Sequence, residues 1–498
     1  MTETDPEVLI VGAGMAGLGM AATLRNAGIT DFVVLEKASE VGGTWRVNTY
    51  PGCSCDVLSM MYSYSFAPYS GWSRLYAEQP EILDYIRRVV KDFALGAHLR
   101  FDSEVVSYHF DDAADRWTVR TRAGEVYRPR VVVVCHGALH RPYIPDFPGR
   151  ERFTGPVVHT ARWDPSIDVT GKRVAVIGTG ASAVQLVPAI AGRAAHVTVF
   201  QRTPHWVLPK MNRAIGDRER ALLSAVPGLR RVYRNVAYWT HEVPVAGFMN
   251  PRLLSILQWA ALRHLRKQVP DPELAAKLVP DYTIGCKRIL LTSDYYPALT
   301  RPDVDLITSP IAEFDPRGIR TADGILHDAD VIVLATGFDT DNRCAREDIA
   351  GRDGLTIQQA WRDGMRAYLG MSVAGFPNLF MVMGPNSGGG AQSILFVIEA
   401  QVRYIAKCLR LMRKYRATRI EVRPEVERAF NDRLHARLSR SVWNSGGCDS
   451  WFLDHTGHNR QCWPGTGTSY WWATRTPKRR SFLLTHAPSL RATENQWC

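Results

Sequence analysis

The 498-residue chain has no run of about 18 apolar residues, so no membrane-spanning helix is expected. Cysteine is scarce: nine residues without a repeated spacing, which speaks against a disulfide framework or a cysteine-built metal site. The first stretch, MTETDPEVLIVGAG, lacks the basic start and long apolar core of an export signal. With an odd cysteine count, this leads us to expect reduced thiols in a cytoplasm. No nucleic-acid-binding motif and no fixed-period repeat is present. Acidic residues are outnumbered, giving a net charge of +12 carried mostly by Arg spread along the chain. That fits a solvated basic surface and a few cations for cofactor phosphates; nucleic acid or an acidic membrane surface are the alternatives.

What is present is globular: 46% hydrophobic and 22% charged residues, over a length that suggests about three domains. EVLIVGAGMAGLGMAATLRNAG reads as strand, tight glycine turn and helix, with DFVVLEK as the next strand. RVAVIGTGASAVQLVPAIAG and HVTVFQR repeat the plan. The expected fold class is therefore α/β, with two Rossmann-like dinucleotide-binding domains. Between them, RWTVRTRAG and VYRPRVVVVCHGA suggest a hairpin and a buried strand, and RPYIPDFPG a linker. Residues from about 216 to 278 read as a helical insertion in the second domain. Its aromatics could pack helix on helix, cover a substrate mouth or touch a membrane surface. ILHDADVIVLATGFDT is a further buried strand, and ILFVIEAQVRYIAKCLRLM an amphipathic helix. The tail from about Ser441, rich in Trp, Gly and Asn, reads as a loop region.

Gly12, Gly14 and Gly17 complete a G-x-G-x-x-G pattern. The first permits the turn, the second lets backbone approach a pyrophosphate, and the third lets helix pack on strand. The helix N-terminus offers free N–H groups to the phosphates. Glu36, 19 residues after Gly17, can accept the ribose hydroxyls. In the second unit Gly178, Gly180 and Ala183 take these places, with Thr179 and Ser182 in the same turn. Nineteen residues after Ala183 comes Arg202, where a carboxylate would repel a 2′-phosphate and Arg can pair with it. The first site fits FAD or NAD and the second NADP.

Two dinucleotides on one chain imply hydride passing from NADPH to a flavin, and then to a disulfide, a carrier or oxygen. Disulfide reductases need a Cys pair on the flavin, where this chain has Trp45. Cys53 and Cys55 are too closely spaced for an easy bridge.

The segment Phe153, Gly155, His159, Trp163, Asp164 fits F-x-G-x-x-x-H-x-x-x-W-D, and Gly43, Trp45, Tyr50, Pro51, Gly52, Asp56 fit a second pattern. Both resemble the flavin-dependent Baeyer–Villiger monooxygenases, from about Val8 to at least Gly390. The resemblance implies FAD and NADPH as cofactors, O2 as oxidant, and a ketone converted to an ester or lactone by a flavin peroxide. It makes Arg288 the active-site cation, paired with Asp56, and Lys287 a ligand of the NADP 2′-phosphate. It places Thr44, Trp45, Asp56 and Tyr62 along the FAD, and Arg202, Thr203, Lys287 and Gln185 on the NADP. Trp463 is a possible loop contact to nicotinamide or substrate, or else a structural Trp. The expected division is 1–140 for the first FAD-binding part, 141–165 for a linker, 166–335 for the NADP-binding domain, and 336–498 for a second FAD-binding part and tail. His159 is expected to orient a hinge at the domain junction, with Trp163 packing it. Oxygenation of nitrogen or sulfur, uncoupled NADPH oxidation with flavin reduction, and non-enzymatic dinucleotide sensing are the competing readings.

Overall fold

The protein is described by a computed structural model covering residues 5–137, 139–340, 347–389, 393–454 and 456–486. Gly390 and the last twelve residues, 487–498, lie outside these described residues. Each glycine unit heads its own five-stranded parallel sheet. In the first sheet the order is Leu379–Met381, Val131–Val134, Val8–Val11, Phe32–Leu35, Leu99–Arg100. These strands read VLIV, FVVL and VVVV because both faces of a parallel sheet are covered. The helix Met15–Asn26 lies against the long helix Ile394–Lys414, which presents a buried face of Leu395, Ile398, Val402, Ile405 and Leu409. The chain thus returns to the first sheet after crossing the second.

The second sheet runs Val304–Ile307, His196–Phe200, Arg173–Ile177, Val331–Leu334, Val157–His159. Its last member corrects an expectation. Part of the stretch read as a linker is an edge strand, with Val157, Val158 and His159 opposite Ile332, Val333 and Leu334. Three residues after a Pro-rich segment are too short a run to announce a strand by periodicity. The helices Asp217–Ala225, Pro227–Met249, Ser255–Gln268 and Pro272–Lys277 fill the interval between the paired strands Val207–Leu208 and Leu290–Leu291.

Two further expectations are corrected. The tail is not loop throughout: it contains the helices Val442–Ser445 and Gly467–Ala473, and the strand Phe482–Thr485 pairs with Arg419–Val422. These elements are short, and tertiary contacts rather than local propensity hold them. The thiols are not all reduced either. Cys286 and Cys448 form a disulfide with Cα atoms 6.1 Å apart, across a sequence separation of 162 residues. The backbone bond from Thr283 N–H to the Gly446 carbonyl (2.9 Å) lays the tail along this loop, a pairing no spacing rule reveals. Cys53, Cys55, Cys135, Cys408 and Cys462 are free and buried.

Candidate active site

At the first glycine turn, Gly12 has φ +105°, and a Cβ there would stand 2.8 Å from the Cys135 carbonyl oxygen. A Cβ on Gly17 would stand 1.8 Å from the Gly12 carbonyl oxygen, so helix and strand meet only without side chains. Gly14 faces Gly43 across the cleft, at 3.5 Å from an added Cβ to the Gly43 Cα. Two bare backbone segments thus form a cradle that suits a pyrophosphate. Glu36 is buried beside it, accepting N–H bonds from Ala13 (2.7 Å) and Ala38 (3.0 Å). This donor set fits FAD.

The second turn repeats the geometry. Gly178 has φ +109°, and its added Cβ would stand 2.5 Å from the Ala335 carbonyl oxygen. A Cβ on Gly180 would meet no heavy atom within 4 Å, which leaves that face open. Thr179 donates its hydroxyl to the Thr203 carbonyl (3.0 Å), and Ser182 precedes the helix Ala183–Ile190 without a side-chain cap bond of its own. Arg202 is exposed; Lys287 is half-buried over the Tyr282 ring at 5.3 Å. Burial, and then the neighbouring Arg202 charge, push the Lys287 ammonium below its ordinary pKa. Two cations held together in this way are relieved by a phosphate dianion, so the pair fits NADP.

Between the two turns lies the loop of the second sequence pattern. Trp45 and Tyr62 are buried edge to face, and the indole N–H donates to the Tyr62 oxygen at 2.9 Å. Thr44 begins the short helix containing Trp45 and is exposed. Gly52 has φ +79°, and an added Cβ would stand 2.5 Å from the Gln185 carbonyl oxygen, so the loop packs directly on the second helix. Gln185, expected on the NADP, spends its amide elsewhere. Its Nε2 donates to the Ser54 carbonyl (3.0 Å) and Asp56 Oδ1 (3.2 Å), and its Oε1 accepts from the Tyr50 hydroxyl (2.9 Å) and Ser54 N–H (3.2 Å). Both amide donors are used.

Arg288 Nη2 donates to Asp56 Oδ2 at 3.0 Å. The Asp56 side chain is only 13% exposed and that of Arg288 is 43% exposed. Sequence reasoning missed a third member, Lys210. Its buried ammonium stands 3.8 Å from Asp56 Oδ1, donates to Ser54 Oγ at 3.0 Å and lies over the Tyr76 ring. A lone Lys in WVLPKMN carries no spacing signal. Asp56 therefore faces two cations, and the group keeps a positive excess. Cys53 and Cys55, in the same loop, have thiols pushed up to about 12 by burial, so thiolate chemistry is suppressed.

In the linking stretch, Phe153 is buried, and Gly155 has no room for a side chain: an added Cβ would stand 2.4 Å from the Asp330 carbonyl oxygen. His159 Nδ1 accepts from the Ala161 N–H at 3.0 Å and the ring meets Phe338 edge to face. Burial lowers its pKa to about 4, so the imidazole is neutral. Trp163 packs partly buried on the core, and exposed Asp164 closes a turn onto Ser166. Trp463 is not on an open loop. It is buried between Phe430 and Tyr470, with its N–H on Ser469 Oγ at 2.8 Å.

Residues 9–215 match the family model described as pyridine nucleotide-disulphide oxidoreductase. A Baeyer–Villiger monooxygenase of Streptomyces coelicolor is 46% identical over 470 residues, covering 94% of this chain and 90% of that protein. The chain belongs to the Baeyer–Villiger monooxygenases. It is a flavoprotein monooxygenase that uses FAD and NADPH. Among solved structures, an oxidized steroid monooxygenase bound to NADP superposes with a TM-score of 0.88 at 34% identity, covering 97% of this chain and all of that one. The closed crystal structure of cyclohexanone monooxygenase gives 0.88 at 30% identity, covering 98% and all of that chain. No described helix of this monooxygenase is long and apolar enough to cross a membrane.

Proposed function

We propose that this enzyme inserts one oxygen atom of O2 beside the carbonyl of a small ketone, giving an ester or lactone, with Arg288 as the charge-stabilising group and Asp56 as its partner. Bound FAD, reduced by NADPH, supplies the activated oxygen. The observation that carries the reading is the Arg288–Asp56 contact at 3.0 Å, with Lys210 on the same carboxylate. The two cations exceed the one carboxylate, and a fixed positive field favours negative charge gathering on the transferred oxygen and the carbonyl oxygen. Asp56 orients the guanidinium and supplies its counter-charge. Trp45 and Tyr62 form a dry wall beside this group. Arg202, Thr203 and Lys287 hold the nicotinamide nucleotide by its 2′-phosphate.

His159 acts as a hinge residue: neutral, bonded to backbone, and seated on the edge strand of the second sheet, in the chain segment that connects the two glycine units. His159→Ala should keep flavin yet lose ester formed per NADPH. The five cysteines that are free among the described residues and the need for regenerated NADPH support a cytoplasmic setting, where the Cys286–Cys448 pair stands against a reducing thiol pool. The test is product formed against NADPH consumed over a panel of cyclic, linear and aryl ketones, with amines and sulfides alongside. Ester or lactone in near one-to-one yield supports the reading. Hydrogen peroxide alone, or oxidation confined to nitrogen or sulfur, overturns it.

A further inference from the structure

The helix Pro227–Met249 turns its Ala237, Val245 and Phe248 inward. Its opposite face carries Leu229, Val232, Val236 and Trp239, spaced by three, four and three residues, and all are exposed. A surface helix ordinarily puts polar side chains there. After the turn, Leu253, Ile256 and Trp259 continue the pattern. Val232, Val236, Trp239, Leu253, Ile256 and Trp259 each expose between 55% and 74% of their surface. The short helix Gly467–Ala473, joined to this region by the Tyr238–Thr468 hydroxyl contact (2.8 Å), adds exposed Trp472, with the Arg475 guanidinium 5.0 Å above its ring.

The charge on this region has one sign. Between Glu219 and Asp271 the sole acid is Glu242. It is buried and accepts the N–H groups of Gly467 (3.2 Å) and Thr468 (2.8 Å). Of the basic residues, Arg220 pairs with Asp217 and Arg234 with Glu399. Arg230, Arg231, Arg252, Arg263, Arg266 and Lys267 form no ion pair among the described residues, and all but half-buried Arg230 are exposed. Arg263 lies over the Trp259 ring at 5.6 Å.

We propose that this face docks on an anionic lipid surface. Exposed aliphatic and Trp side chains enter the interfacial layer, and the unpaired Arg and Lys residues meet lipid phosphates. A second copy is the poorer occupant, because a two-fold contact would set these cations against themselves with no exposed acid in the segment to meet them. The docking is peripheral, and it stands whichever carbonyl compound the enzyme oxidises.

The full-length, FAD-loaded protein is sedimented with vesicles of phosphatidylcholine alone and with vesicles of about equal parts phosphatidylglycerol and phosphatidylcholine. Binding is expected to the anionic vesicles only and to weaken as salt rises. Trp239→Ser with Trp259→Ser, and separately Arg231→Gln with Arg252→Gln, should each lower binding about tenfold or more. Flavin content and circular dichroism should be unchanged, since only exposed side chains are altered. Three results overturn the proposal: no binding to anionic vesicles, equal binding to both vesicle types, or a concentration-dependent dimer that the same variants dissolve.

Discussion

Gln185, on the first turn of the second dinucleotide helix, donates to Asp56, the carboxylate that holds Arg288, at 3.2 Å. The bond couples the nucleotide turn of one sheet to the charged group beside the other. Gln185→Leu leaves Asp56, Ser54 and Tyr50 without these partners, and each buried group left unpaired costs about 1–3 kcal/mol. The expected outcome is a lower denaturation midpoint, flavin retained, and less product per NADPH. Full coupling in this variant would show that the bridge is only structural.

On the proposed mechanism, Arg288→Ala removes the cation assigned to the reacting oxygen. Oxygenation should slow by about two to three decades, while flavin reduction by NADPH, followed by stopped-flow absorbance, changes far less. Arg288→Lys should recover part of the loss, because it restores charge without the bidentate fork.

After burial, the Arg202 charge is the main influence that lowers the pKa of the Lys287 ammonium. Arg202→Ala and Lys287→Ala should each reduce the kcat/KM preference for NADPH over NADH by about tenfold to a hundredfold, as the loss of a charged contact of about 1.5–3 kcal/mol implies. An unchanged preference in both would place the 2′-phosphate elsewhere.

Cys286 immediately precedes Lys287 and Arg288, so its bridge to Cys448 anchors the segment that carries both cations. Cys448→Ser, or reduction by a dithiol, should lower stability by about 2–4 kcal/mol, the usual worth of a bridge closing a long loop. NADPH affinity should fall with it. Peptide mass mapping under non-reducing conditions checks the bridge itself.

Glu427 is buried, accepts the Ala374 N–H at 3.2 Å, and has its pKa raised to about 7 by burial. Its folded form holds a proton that the unfolded chain releases near 4.5. Its contribution to stability is therefore present below pH 4.5 and lost as pH rises toward 7. Glu427→Gln should raise the melting temperature at pH 8 and leave it nearly unchanged at pH 4.5. A variant less stable at pH 8 would mean that the ionised carboxylate is favourably paired.

The amino-acid sequence by itself determined what depends on local backbone demands. Gly12, Gly17 and Gly178 stand where another backbone passes too close for a side chain, and the four-residue apolar runs beside these turns suit a parallel sheet covered on both faces. The positions of Glu36 and Arg202, just past the strands Phe32–Leu35 and His196–Phe200, were legible because strand length places them at a known offset from those glycines. Only the tertiary structure decided what depends on which distant faces meet. Gln185 bonds to Asp56 rather than being free for a nucleotide, Lys210 arrives on the same carboxylate, and Cys448 reaches Cys286 across 162 residues. The same holds for the apolar stripe from Leu229 to Trp239. Periodicity shows that a helix has an apolar face, but not that packing against its other side leaves that face in water.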